Sequence, residues 1–289
     1  MEEMEIFQYS RMAVKKFIYY LVLLFIINLA VALIGGSFGL FFSAVMTLMY
    51  MLEGSIIYYI IKKVLSGHIP RKMISYVMLI INVAVFLILV TLIYVSYKSI
   101  LTMQMIGFPL ATFVTPIVTL SFAGYFSFKI EDSLRERLPY LGRRLGDSLR
   151  MILIASSLTV FGISLNLLTI YWFDPGIAIL IGLIGVRESL VRTIRTFKAT
   201  TSKEKIEDML NIMRNICLEL PIITNVNDTW INEFGYYCYG GCKLILSPLT
   251  TNTDTKEIKS YIISRLIHSI PHIIAININF ERLEKEGRI

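Results

Sequence analysis

Glu53 stands in the stretch MLEGSIIYYI, residues 51–60, where it is the only charge. A carboxylate in hydrocarbon costs about 2.5–3.5 kcal/mol on insertion scales, so such an acid needs a counter-charge, a bound cation or a proton. A second group of candidates lies near the other end of the chain, where Cys238, Cys242, His268 and His272 offer soft donors. Two sulfurs four apart in a strand share a face through its period of two, and a histidine pair at a helix end is common; this set is read as structural. His68, in the basic link SGHIPRK, is read as a solvated loop residue. The chain has no HExxH and no phosphate-binding glycine loop, and it is not read as an enzyme.

The elements that hold Glu53 follow from composition. Hydrophobic residues make up 55% of the 289 and charged ones 17%, and the mean hydropathy is +0.66. That balance belongs to a membrane protein. Five stretches are long enough to cross a bilayer: Phe17 to Ile34, Phe38 to Ile61, Met73 to Val95, Met105 to Phe128 and Met151 to Phe173. A weaker sixth begins at Asp174-Pro175, a good helix start because aspartate caps free amides and proline fits the first turn. Its apolar run, Ile177 to Val186, leads into an amphipathic extension with Arg187, Glu188, Arg192 and Arg195.

Basic residues set the expected orientation. Lysine and arginine crowd the segment before the first span, the links between spans two and three and between four and five, and the segment after the sixth, whereas the opposite links hold Lys98 alone. By the positive-inside rule both termini are cytoplasmic, six crossings are required, and the chain is a multi-pass protein of the cell membrane. The net charge of +7 is then a topological signal with affinity for anionic lipid, and no nucleic-acid partner is implied. The first apolar segment is too long for a signal peptide and stays as an anchor. Cys217, Cys238 and Cys242 fall after the spans, on the reducing side, and are expected as free thiols. Asn28 and Asn82, inside spans, are expected to make interhelical hydrogen bonds.

After Lys198 the sequence turns polar. Thr201 and Glu204 have capping-box spacing ahead of a helix over residues 202–220, ITNVNDTWI and YCYGGCKLIL read as strands around a turn at Gly235, Asp254 and Glu257 open a second helix, and IIAININF is a third strand. The order αββαβ predicts a two-layer, ferredoxin-like domain with two helices on one sheet face. The chain thus divides into a six-span domain, residues 1–200, and a cytoplasmic domain, residues 201–289, and its class is an α-helical membrane protein with a C-terminal α+β domain.

Several stretches carry a family resemblance. Asn28 with GGSFGLFFSAVMTLMYMLEGSI, then LGRRLGDSLRMILI, then YWFDPGIAILIGLIGVRE with its Asp-Pro start, together with Gly235, resemble the cation diffusion facilitator family of metal-ion exporters, from about Val14 to Phe280. That family builds its transport site from two residues four apart on the second span and two on the fifth, a spacing that stacks ligands on one helical face. The resemblance places Glu53 and Asp147 on the second member of each pair, Met49 on the first member of one and Arg143 on the first member of the other. It implies a homodimeric secondary transporter that exports a divalent cation in exchange for protons. The metal ligands are then Glu53, Asp147 and Met49, and this oxygen-rich set leans toward Mn²⁺, Fe²⁺ or Co²⁺ over Zn²⁺. No prosthetic group is expected. Two alternatives stand beside it. Met49 packs rather than ligates in a methionine-rich helix, and Arg143 or Arg144 satisfies both acids, leaving a transport-inactive membrane scaffold or regulatory subunit.

Overall fold

The computed structural model describes residues 3–67, 73–102, 106–107, 109–135, 137–201, 203–247, 252–270 and 272–282. Eight helices and three strands follow in the order α1 (Glu3–Gly35), α2 (Phe38–Leu65), α3 (Met73–Thr102), α4 (Pro109–Arg135), α5 (Pro139–Leu167), α6 (Phe173–Thr201), α7 (Lys203–Leu218), β1 (Ile223–Phe234), β2 (Tyr237–Leu246), α8 (Asn252–Ser269) and β3 (Ile273–Arg282). Helices α1 to α5 are long and apolar enough to cross a membrane. The sixth, α6, has 29 residues and breaks its apolar run with the arginines after Val186.

The spans lie where hydropathy puts them, but their ends do not. α5 begins at Pro139, well before the expected Met151, because proline fits a first helical turn and the polar turns that carry Arg143, Arg144, Asp147 and Arg150 are as helical as the apolar ones that follow. α1 likewise begins at Glu3 rather than near Phe17. Polar helical turns at a membrane surface carry no hydropathy signal.

The chain divides into two compact units, residues 13–56 with 77–194, and residues 1–12 with 57–76 and 195–289. In the first, Ala32, Leu40 and Ile163 form a buried core with Val31, Phe41, Ile106 and Phe113 around it. α6 approaches α2 closely at Gly185, where a Cβ would lie 2.8 Å from Met46 Sδ.

The second unit contains the αββαβ tail. β1 pairs antiparallel with β2 and β2 parallel with β3, giving the order β1-β2-β3. The parallel pair requires a crossover, which α8 supplies. α7 packs on β1 and α8 on β3, burying Met213, Tyr239, Leu244, Ile262, Leu266 and Ile274. The hairpin turns through Gly235 at φ +54°, the left-handed conformation wanted at the first position of a tight two-residue loop. Thr201, Glu204 and Asp254, expected as caps, lie in helical segments but their side chains are outside what the structure describes, and His68 with its link lies outside the described residues.

Candidate functional site

Met49 and Glu53 sit one turn apart on α2 and both point inward, 1% and 4% exposed. Glu53 accepts a hydrogen bond and ion pair from Arg192 Nη1 of α6, whose side chain is 6% exposed. The Arg192 guanidinium also lies over the Tyr50 ring, 4.9 Å from its centroid, a geometry in which the ring's negative face adds to the attraction. One turn earlier on α6, Glu188 holds an oxygen 4.0 Å from Arg192 Nε. Arg192 therefore stands between two carboxylates, one buried and one at the margin. From α5, Arg144 is among the charges that act on the Tyr50 hydroxyl.

Asp147 has a different neighbourhood. Its carboxylate accepts from Arg150 Nη1 at 3.1 Å, and Arg150 Nη2 reaches Glu131 of α4 at 2.5 Å. All three side chains are more than a third exposed. The guanidinium groups that satisfy the two acids are thus Arg192 and Arg150, where the sequence pointed to Arg143 or Arg144. Arg143 is exposed on α5. Arg192 was missed because it falls beyond the apolar run of α6, in turns that read as a solvated extension. The available signal was its period, since Ser189, Arg192 and Thr196 recur at three- and four-residue steps and all are buried.

A second buried acid works at the opposite end of α2. Asp174 accepts from the Ser37 hydroxyl at 2.9 Å, from the Phe38 amide at 2.8 Å and from the Gly39 amide at 3.4 Å. It therefore caps α2 from the first turn of α6, where the negative charge also meets the positive end of the α2 dipole. The segment Gly35-Gly36-Ser37-Phe38-Gly39 has the G-x-S-x-G spacing of a hydrolase elbow, but it joins two helices rather than a strand to a helix, and its serine donates to this aspartate.

Among the buried asparagines, Asn28 Oδ1 accepts from Thr119 of α4 as an interhelical bond. Asn82 differs from expectation, because Ser189 of α6 donates to its backbone carbonyl at 2.8 Å and its side-chain amide has no hydrogen-bond partner among the described residues. In the tail, Cys217, Cys238 and Cys242 are free and buried, with the Cys217 and Cys242 sulfurs 4.0 Å apart. His268 is exposed and its Nδ1 lies 2.8 Å from the Ser264 carbonyl. No group of three or more His, Cys, Asp or Glu is placed to hold a metal among the described residues.

No family profile and no curated protein matches the chain. Solved structures of a MamM CTD do match. One is 16% identical over 28% of this chain and 98% of that chain with a TM-score of 0.26, another 16% over 28% and 100% with a TM-score of 0.27, and a copper form of a MamM CTD variant 17% over 27% and 98% with a TM-score of 0.26.

Proposed function

We propose that the chain is a secondary transporter of the cation diffusion facilitator type, which moves a divalent cation out of the cytoplasm in exchange for protons and uses Glu53 as the carboxylate of its transport site. The observation that carries this reading is the burial of Glu53 in an apolar helix against a positive charge that has somewhere else to go. Arg192 supplies the cation Glu53 needs when no cargo is bound, and Glu188, one turn away, can receive the guanidinium when cargo arrives. Met49, on the same face, offers a thioether, and Asp147 a second carboxylate once it leaves Arg150. Two oxygens and one sulfur suit Mn²⁺, Fe²⁺ or Co²⁺ better than the four-ligand preference of Zn²⁺. Carboxylates that lose protons to bind metal couple the two fluxes at one site, and rocking of helices around that site alternates its access.

In this reading both termini are cytoplasmic, the protein resides in the cell membrane, and residues 201–289 act as a dimerisation and regulatory domain. A single cysteine at position 98 should then label from outside and one at position 254 only after permeabilisation.

A specific observation favours a second reading. The buried Glu53–Arg192 pair already satisfies the charge that a metal would satisfy, which suits a transport-inactive scaffold in which Arg192 takes the part expected of Arg143. Flux of Mn²⁺ into proteoliposomes separates the two. A carrier shows cation-dependent flux that Glu53→Ala abolishes, and Arg192→Gln lowers the Mn²⁺ concentration giving half-maximal rate because the internal competitor is gone. A scaffold shows no flux in wild type.

A further inference from the structure

α4 and α5 meet closely at their polar ends, where Gly142 and Gly146 of α5 lie against α4. A Cβ at Gly142 would come within 2.8 Å of Leu134 Cβ, and one at Gly146 within 3.2 Å of a Glu131 carboxylate oxygen. Small residues four apart let two helices approach this way. The close approach turns one stripe of each helix toward a shared cleft of about 910 Å³.

The α4 stripe changes character along its length. Tyr125 and Phe128, 60% and 70% exposed, close the apolar part of the helix, and Lys129 and Arg135 follow on the same side. The Lys129 ammonium sits 5.3 Å from the Tyr125 ring centroid and 3.3 Å from its hydroxyl, at the level where ring and charge meet. From α5, Arg143 and Arg150 line the same cleft. Four cations thus face two carboxylates, Glu131 and Asp132, leaving a net charge of +2 in the lining. Arg150 already neutralises Glu131. Arg135 and Arg143 have neither a hydrogen bond nor an ion pair with another described residue, and both are exposed.

We infer that this cleft binds the phosphodiester headgroup of an anionic glycerophospholipid, with the Arg135 and Arg143 guanidiniums on the phosphate and an acyl chain along Phe128 and Tyr125. A guanidinium fork matches phosphate oxygens two at a time. A basic pocket between membrane helices at the headgroup level is where such a lipid is held, and aromatic rings mark that level. The cleft requires both halves, charge at the polar end and rings at the apolar end, and a free phosphate uses only the first. The assignment also gives Arg143 a role, which the transport site does not, and it stands whether or not a cation is carried.

The test uses the full chain, purified in mild detergent and offered phosphatidylglycerol or phosphatidylcholine, with retained lipid counted by native mass spectrometry. Arg135→Gln with Arg143→Gln removes two charges from the cleft, and Arg187→Gln with Lys98→Gln removes two elsewhere. At roughly 1 kcal/mol per basic residue, the cleft variant should retain about 30-fold less phosphatidylglycerol, with phosphatidylcholine unchanged and the control variant like wild type. Phe128→Ser should weaken retention by a smaller factor while leaving all four cations in place. Equal losses in the cleft and control variants would show diffuse attraction and overturn the site. So would displacement of the lipid by millimolar inorganic phosphate, which would make it a site for free anions.

Discussion

Two arginine–carboxylate clusters lie in the same helical unit and use the same chemistry at different depths. Glu53 and Arg192 are buried together, whereas Glu131, Arg150 and Asp147 share a margin with solvent. Each cluster sets one guanidinium between two acids, Arg192 between Glu53 and Glu188 and Arg150 between Glu131 and Asp147. Depth decides the energetics, because water at the margin screens each attraction and solvates whatever is left behind, while a buried charge stripped of its partner has nothing to replace it. Glu53 and Arg192 are therefore held to each other far more firmly than Asp147 is held to Arg150, which leaves Asp147 the acid freer to change partner.

Breaking the pairs one side at a time should expose this difference. Arg192→Leu strands Glu53 and should cost about 3–5 kcal/mol, read as a large fall in melting temperature of the detergent-solubilised protein, and adding Glu53→Gln should restore most of it. A double variant no more stable than the single would show that the pair is not the source of the loss. Asp174→Ala, which removes the cap of α2, should cost about 1–2 kcal/mol, and Asp174→Asn should recover part of it because an amide oxygen in the Oδ1 position still accepts from the Ser37 hydroxyl and the Gly39 amide. Burial without any partner charge is a third case, found in the tail. There the Tyr239 hydroxyl is pushed up to about 12 by burial. The unfolded phenol ionises near 10, so the neutral buried form adds stability below that pH, and the contribution is lost as pH rises from about 10 to 12. Tyr239→Phe should flatten the melting temperature against pH across that window; an unchanged slope would show that the ring meets water. The smallest effect belongs to the exposed cluster, where Glu131→Gln with Asp147→Asn should change stability by no more than about 1 kcal/mol.

Much of the architecture was legible in the residues. A span needs a long apolar run, a hairpin needs a residue that tolerates positive φ, and both are local properties that Phe38–Ile61 and Gly235 state openly. The site was legible by half. Glu53 declared itself by being expensive where it stands, but a partner 139 positions away declares itself only through folding. Arg192 looked like one of several charges after the last apolar run, and depth cannot be read from charge alone. Asp174 misled differently, since its place ahead of Pro175 marks a helix start correctly while its oxygens serve another helix.

That serving of another helix has a mechanical consequence. Asp174 fastens the first turn of α6 to the first turn of α2, and Arg192 fastens α6 to α2 again at Glu53. At 1.5 Å per residue the two fasteners are about 23 Å apart along α2 and about 27 Å along α6. Two rods joined at two points so far apart can neither slide nor splay, and α2 and α6 behave as one beam. Any hinge in this unit must lie beside that beam and not within it, unless Arg192 lets go; then the Asp174 end becomes a pivot, and the far ends of the two helices are free to swing.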